Sequence, residues 1–188
     1  DVAYGIPQDT MTLLKNSDIK IVLMTYNSVE DILSNIALLG QITDKNQEAT
    51  LLVDKLTREI EDISAKAKKQ TPKSVFINVG DLYTTADNTY MDDMLNKLGA
   101  KNIAADLGQG WLQIPLETLL EKNPDVYIDM SVQNNGDIPA DPLLSNLSAI
   151  QNKHYHTYAF SANETSLLSR PGPRVAEALA LLYNNIYE

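Results

Sequence analysis

The sequence predicts an α/β fold, in which a mainly parallel sheet has helices on both faces, as in a Rossmann-like lobe, and is preceded by one long helix. Two observations predict this fold. From Ser74 onward, short apolar segments alternate with helical segments, which is typical of crossover connections between parallel strands. Before them, residues 47–70 carry apolar side chains at steps of 3 and 4 without Gly or Pro, which indicates a long helix.

The first part of the chain predicts less regular structure. Residues 1–4 read as the end of a buried strand with no preceding turn, so we expect the chain to be cut from a longer one. Residues 10–15 predict a short helix, and the β-branched apolar run 19–24 predicts a strand buried on both faces. Ser28 predicts the N-cap of a further helix, which we expect to end at Gly40.

The helix at residues 47–70 would be about 36 Å long at 1.5 Å per residue. It is either a surface helix packed along a sheet or a rigid connection between two lobes. Its position between an incomplete first unit and a complete second one favours the connection.

Strands and helices alternate through the rest of the chain. Strands are expected at residues 74–79, 103, 125–130 and 154–160, and helices at 91–98, 115–122, 142–150 and 173–187. Gly99 is expected to end the first of these helices.

Composition excludes several functions. Lys plus Arg number 15 against 25 Asp plus Glu, a net charge of -10, so nucleic acid and anionic lipid are poor partners. The absence of cysteine excludes disulfides, thiolate metal sites and cysteine nucleophiles, and leaves the redox compartment open. No apolar run is long enough to cross a membrane, and the first residues are neither a signal peptide nor a lipoprotein leader.

Ligands of parallel α/β sheets bind at the loops that follow the carboxyl ends of the strands. Here those loops are residues 80–89, 107–113, 131–136 and 161–172. Trp111, the single tryptophan, either contacts a flat ligand or packs against the sheet edge. In the last loop, the Arg170 guanidinium is suited to a carboxylate or phenolate group of a ligand, whereas Arg174 has a structural role.

Other candidate residues have two interpretations each. Glu117 follows Pro115 in the first turn of a helix, where a carboxylate favours the helix dipole and caps the backbone. His154 and His156 lie on one face of a strand, which is the spacing of a metal site, but no carboxylate adjoins them in sequence. Motifs of serine hydrolases, zinc proteases, P-loop proteins and dinucleotide-binding proteins are absent.

Six segments carry a family resemblance when they are taken in order. They are SVEDILSNIALLGQITDKNQEATLLVDKLTREIEDI, SVFINVG, MLNKLGAKNIAAD, IPLETLLEKNPDVYI, LSAIQNKHYHTY and RPGPRVAEALALLY. From Ser28 to its end, the chain resembles the substrate-binding proteins of ABC importers for iron complexes, haem and cobalamin. The resemblance implies two lobes bridged by a long helix, with ligand in the cleft between them. Residues 1–27 would be a remnant of the N-terminal lobe, 28–73 a helical linker containing the bridging helix, and 74–188 the C-terminal lobe.

The resemblance also implies roles for single residues. Glu117, in IPLETLL, matches a glutamate that meets the membrane permease, and Trp111 matches a ligand-contacting tryptophan of a cobalamin-binding relative. Arg170 is in a loop that often faces the cleft. Tyr83 and Asn134 are in ligand-specific loops, and Tyr83 is taken as ligand-binding. The implied protein is an extracytoplasmic binding protein, in the periplasm or a cell-surface lipoprotein, and is neither an enzyme nor the holder of a cofactor.

The ligand stays open among an iron-siderophore complex, haem and a corrinoid. Two other functions are weighed against the binding protein. One is a chelatase-like enzyme acting on a metal tetrapyrrole, by analogy of fold alone, with His154 or His156 as general base. The other is an acidic interaction domain without a ligand.

Overall fold

A four-stranded parallel sheet organises the chain. The computed structural model describes residues 7–17, 19–132 and 142–188. Its strands are β1 Ser74–Asn78, β2 Tyr83–Thr85, β3 Lys101–Asn102, β4 Trp111–Gln113, β5 Val126–Val132 and β6 Tyr155–Ala159. Its helices are α1 Gln8–Asn16, α2 Val29–Ile42, α3 Asn46–Ala67, α4 Tyr90–Lys97, α5 Leu116–Lys122, α6 Ser148–Gln151, α7 Asn163–Ser169 and α8 Val175–Tyr187.

The strand order is β3-β1-β5-β6, and every neighbouring pair in this sheet is parallel. Side chains alternate between the two faces along each strand. Val75 and Ile77 of β1 therefore pack with α2, α3, α4 and α8, whereas Phe76 packs on the opposite face against α5 and α6. Both faces are covered by helices, so the predicted α/β class is confirmed.

The long helix α3 is continuous for 22 residues, or about 33 Å at 1.5 Å per residue. Leu56 and Ile60 on one of its faces are buried in the same core as Leu179 of α8 and Val75 of β1. The predicted long helix is confirmed, and it lies along the α/β unit for part of its length. The division of the chain at residues 27 and 73 stays a prediction.

The start of α2 follows the prediction, because the Ser28 hydroxyl accepts a hydrogen bond from the Asp31 amide at 3.0 Å. Its end does not. The helix continues past Gly40 to Ile42, and Gly40 is buried where α2 meets α3. A Cβ added at Gly40 would lie 2.3 Å from the Cβ of Ala49, so glycine is there to allow close contact between helices and does not end α2.

We expect Gly40→Ala to lower the free energy of unfolding by up to about 2 kcal/mol. Alanine favours a helix by about 1 kcal/mol over glycine, but forcing the two helices apart costs about 1–3 kcal/mol. Urea denaturation would measure the change. Adding Ala49→Gly removes the overlapping methyl group, so the double variant should show a favourable coupling energy. Simple additivity of the two substitutions would contradict the contact.

The predicted strand at residues 19–24 is wrong. The chain there is irregular, and the side chains of Ile19, Val22 and Leu23 are about half exposed. A strand forms where a neighbouring strand accepts its backbone hydrogen bonds, and the described sheet pairs residues 74–159 only with one another. The apolar run alone is therefore not sufficient for a strand.

Smaller differences concern the loops. Residues 83–85 and 111–113 form an antiparallel pair, and residues 163–169 form α7 inside a predicted loop. The helix predicted at residues 142–150 is a turn followed by the short α6, and β3 ends before Ile103. The expectation for residues 1–4 and the candidate Asn134 lie outside the described residues.

Candidate functional site

The carboxyl edge of the sheet contains a cavity at the point where the strand order reverses. β3, the next strand of this sheet in the chain, lies on one side of β1, and β5 lies on the other side. Ligands of open α/β sheets bind at such a point. The cavity has a volume of about 790 Å³. We call it the switch-point cavity, and its walls are Val79, Gly80, Asp81, Ser131, Phe160 and Ser161. Phe160 is 76% exposed beside it.

Two buried polar residues fix the backbone of this cavity. Asn78, at the end of β1, donates its side-chain amide to the Asp129 carboxylate of β5 at 2.8 Å. The Asn78 side-chain oxygen accepts from the amides of Gly80 and Leu82, at 3.1 Å each. Asp129 in turn accepts from the backbone and hydroxyl of Ser131, at 2.8 and 2.6 Å. This network ties the loop after β1 to the loop after β5.

The turn after β1 needs a glycine. Gly80 has a φ of 132°, and Asp81 and Leu82 follow with φ values of 49° and 59°. The first value is outside the range of residues with a Cβ, and the next two are uncommon for them. The backbone therefore turns sharply at the cavity wall, and such conformations concentrate at functional sites.

A second cavity of about 800 Å³ lies beside Trp111, and we call it the Trp111 cavity. One wall is the irregular segment 24–27, and another is the start of α4. The remaining wall residues are Asn88, Gln109, Gly110 and Trp111. At α4, the Thr89 hydroxyl accepts from the Asp92 amide at 3.2 Å and also bonds the Thr85 hydroxyl.

The segment 24–27 is held in place by α2. Asn35 donates its side-chain amide to the Thr25 carbonyl at 2.6 Å, and the Asn27 amide donates to Asp31 at 2.8 Å. The start of α2 is itself fixed to α4, because the Asp93 carboxylate accepts from the Val29 amide at 2.8 Å. Burial raises the pKa of Asp93, and the Val29 hydrogen bond opposes that rise. The wall of the Trp111 cavity is thus positioned by contacts to the lobe.

The two candidate aromatic residues share a face of the β2–β4 ribbon. Tyr83 pairs with Gln113, which places Trp111 diagonally across from it, within reach of a large side chain. Both rings are 47% exposed. Trp111 is therefore a strand residue with much of its indole in solvent, and one flat ligand would be able to contact both rings.

Arg170 follows α7 and is exposed, and it has no hydrogen bond or ion pair with any described residue. It is not part of the described wall of either cavity. Tyr90 provides a link between the Arg170 segment and the Trp111 cavity. Its side chain lines the cavity, and its hydroxyl donates to the carbonyl of Leu168, two residues before Arg170. Arg174 is structural as predicted, since its Nη2 lies 2.7 Å from Glu177 Oε2.

Glu117 is at the start of α5 but does not cap it. Pro115 is the N-cap residue, where the sequence predicted the first helical position, so Glu117 is the second residue of the helix. Its carboxylate is exposed and makes no hydrogen bond or ion pair with the part of the chain that the structure describes. Glu117 therefore does not cap the backbone, and only the favourable interaction between its charge and the helix dipole remains of that prediction.

The two histidines cap α8 at the opposite edge of the sheet. His154 precedes β6, and the Nε2 atoms of His154 and His156 both donate to the Asn185 carbonyl at 3.0 Å. Lys73 donates to the other ring nitrogen of His154 at 3.2 Å. Burial lowers the pKa of both histidines, and the Lys73 charge lowers that of His154 further. Because both rings lie at the edge opposite the two cavities and bond the Asn185 carbonyl, neither supplies a general base for the candidate site.

These pKa shifts predict that the protein loses stability in mild acid. Because the folded-state pKa values lie below the ordinary 6.5, the unfolded chain binds more protons, and stability is complete only above about pH 6.5. The free energy of unfolding should fall as the pH drops through the lowered values. Urea denaturation from pH 7.5 to about 5 would measure the fall, which should be smaller after His154→Gln and His156→Gln together. An equal fall in that variant would contradict this role.

Within residues 7–17, 19–132 and 142–188, no three His, Asp or Glu side chains are grouped to hold a metal ion. The helices of these residues also include none with the length and hydrophobicity needed to span a membrane.

Comparison with known proteins decides the family. The model of a family described as periplasmic binding protein matches residues 2–161. The chain belongs to the periplasmic binding protein family. The resemblance predicted from the sequence is thus confirmed, and the family is one of binding proteins.

Several members of the family are similar along nearly the whole chain. An uncharacterized ABC transporter substrate-binding lipoprotein of Bacillus subtilis, YvrC, is 31% identical over 186 residues, covering 95% of this chain and 57% of that protein. A cobalamin-binding protein of Halobacterium salinarum is 25% identical over 185 residues, covering 93% and 49%. A possible iron-binding, periplasmic solute-binding protein of Staphylococcus epidermidis has a TM-score of 0.80 at 28% identity, covering 96% and 71%. The chain thus spans about half the length of these two curated family members.

Proposed function

We propose that the chain is the second lobe of the solute-binding component of an ABC importer. In this proposal the carboxyl edge of the sheet is one wall of a cleft that holds a metal chelate, either an iron complex, haem or a corrinoid. The observation that carries the proposal is the pair of cavities at the carboxyl edge, next to exposed Trp111 and Tyr83, in a chain of the periplasmic binding protein family.

Ligand binding is assigned to side chains that are available for contact. Trp111 and Tyr83 present flat apolar surface that loses little side-chain entropy on binding. Arg170, exposed and without a described partner, is proposed to approach an acidic or carbonyl group of the cargo. The names of two relatives support this class of cargo, since one binds cobalamin and another is a possible iron-binding protein.

Delivery is assigned to Glu117. Its exposed carboxylate is available for a basic residue of a membrane permease, and a charge at the rim of an interface contributes mainly to association and orientation. No chemical step is assigned to the binding protein itself, because capture and release of the ligand require only a difference in affinity between its closed and open forms.

The remaining parts of the proposal concern the whole protein. Residues 1–27 are proposed to belong to a first lobe and residues 28–73 to the linker, in which α3 bridges the two lobes. The protein is proposed to work outside the cytoplasm, in the periplasm or as a cell-surface lipoprotein, in line with the lipoprotein among its relatives. No contact of His154 or His156 favours the alternative chelatase.

Ligand titration of the protein at its natural full length tests the proposal. Calorimetry with cyanocobalamin, haem and a ferric trihydroxamate should reveal saturable one-to-one binding of at least one of them. The same ligands should be recovered chemically unchanged. Absence of binding to all three, or turnover of haem, would contradict the proposed function.

A further inference from the structure

Cationic side chains are scarce at the carboxyl edge of the sheet. The described parts of the loops that follow the strands, residues 80–89, 107–113, 131–132 and 161–172, contain one of the fifteen Lys and Arg residues of the chain, Arg170. The same loops contain three acidic residues, Asp81, Asp87 and Glu164. This edge is therefore poorly suited to neutralise an anionic ligand, for which proteins use several Arg and Lys side chains.

Two of the acidic residues adjoin the cavities. Asp81 is a wall residue of the switch-point cavity, and its carbonyl accepts the side-chain amide of Gln113 at 2.7 Å, which fixes the backbone there. Asp87 bridges to Gln109 beside the Trp111 cavity, and its carbonyl accepts from the Gly110 amide at 2.7 Å. Both residues are exposed, and neither carboxylate forms an ion pair with a described residue. The wall of the switch-point cavity thus contains one uncompensated negative charge, that of Asp81, and Asp87 places a second one next to Asn88, a wall residue of the Trp111 cavity.

The other wall residues of the two cavities are uncharged in the part of the chain that the structure describes. Trp111, Tyr83 and Phe160 offer aromatic faces, and polar groups are supplied by amides and hydroxyls. These hydrogen-bonding residues are Asn88, Gln109, Ser131 and Ser161. Such a surface matches a large uncharged chelate with amide groups at its periphery.

We infer that Asp81 and Asp87 are specificity determinants, which select neutral or cationic metal chelates over anionic ones. The inference rests on the proposed function, because it needs a chelate to occupy this edge. An anionic group held within a Debye length of both carboxylates is repelled by each, and the repulsion grows when the cleft excludes water. Chelates with several carboxylate or catecholate charges are therefore disfavoured, and corrinoid amides or hydroxamates are accepted.

Two series of probes that differ in charge test this selectivity. One is cyanocobalamin with none, one or two of its propionamides hydrolysed to carboxylates. The other is a ferric trihydroxamate whose terminal amine is free, acetylated or succinylated. For the protein at its natural full length, calorimetry should show affinity falling about fivefold for each added negative charge at low salt. Raising the salt to about 0.5 M should reduce this ratio, since a higher ionic strength screens the repulsion between exposed charges.

The variant Asp81→Asn combined with Asp87→Asn should bring the ratio of neutral-probe affinity to anionic-probe affinity close to one. Glu121→Gln, an exposed acid at the other end of α5, is the matched control and should keep the ratio. Equal or tighter binding of the anionic probes, or an unchanged ratio in the double variant, would overturn the inference and leave the proposed function standing. Binding of haem, which carries two propionate charges, without binding of either probe series would overturn the inference alone. Absence of binding to haem and to both series would overturn both.

Discussion

Replacing Trp111 by alanine is expected to weaken chelate binding about thirtyfold, which corresponds to about 2 kcal/mol. The indole is 47% exposed in the free chain, and its face would be covered by ligand, so the substitution removes contact area made only in the complex. Calorimetry on the protein at its natural full length would measure the loss, with the chelate that binds tightest to the unsubstituted protein.

Controls separate this contact from a general effect on folding. Because the ring is exposed, Trp111→Ala should change the free energy of unfolding by less than about 1 kcal/mol. Trp111→Phe keeps an aromatic face and should recover part of the affinity. Leu51→Ala alters an exposed apolar side chain on α3, away from the cavities, and should have no effect on binding. Affinity within twofold of the original in Trp111→Ala would contradict a ligand role for this residue.

Replacing Glu117 by alanine is expected to reduce chelate uptake about tenfold when the concentration of the binding protein is too low to saturate the transporter. The carboxylate is exposed and without a described partner, so its loss removes a charge contact in the docked complex and leaves the lobe intact. Uptake into proteoliposomes that contain the transporter would measure the effect, together with chelate affinity, which should not change.

Two further substitutions are controls for docking: one reverses the charge at Glu117, and the other removes a charge at a different position of α5. Glu117→Arg adds repulsion from basic permease residues and should reduce uptake further. Glu121→Ala removes a charge of the same sign from the far end of α5 and should leave uptake unchanged. Normal uptake by Glu117→Ala, or a parallel loss in Glu121→Ala, would contradict docking through the start of this helix.

The regular elements were predictable where one local pattern decides them. The apolar spacing of α3 requires burial of one face, and the apolar strands β1 and β5 require burial on both faces of the sheet. Each of these elements forms where the sequence predicts it. By contrast, the end of α2 depends on the contact between Gly40 and Ala49, and the state of residues 19–24 depends on a partner strand. Neither condition is visible in a short stretch of sequence.

The site was predictable in part. The rule for carboxyl ends of strands selected loops that line both cavities, and it placed Trp111 and Tyr83 near them. The Asn78–Asp129 pair was missed, although a polar residue in each of two apolar strands was a signal for it. The histidines were ambiguous because their shared partner, the Asn185 carbonyl, is about 30 residues distant in the chain.

A crystal structure of the protein at its natural full length with its tightest-binding chelate tests the central claim most directly. The account predicts that the chelate contacts the Trp111 ring and lies against the loop after β1, at the carboxyl edge of the sheet. A chelate bound at the opposite edge, near His154, with Trp111 still open to solvent, would contradict it.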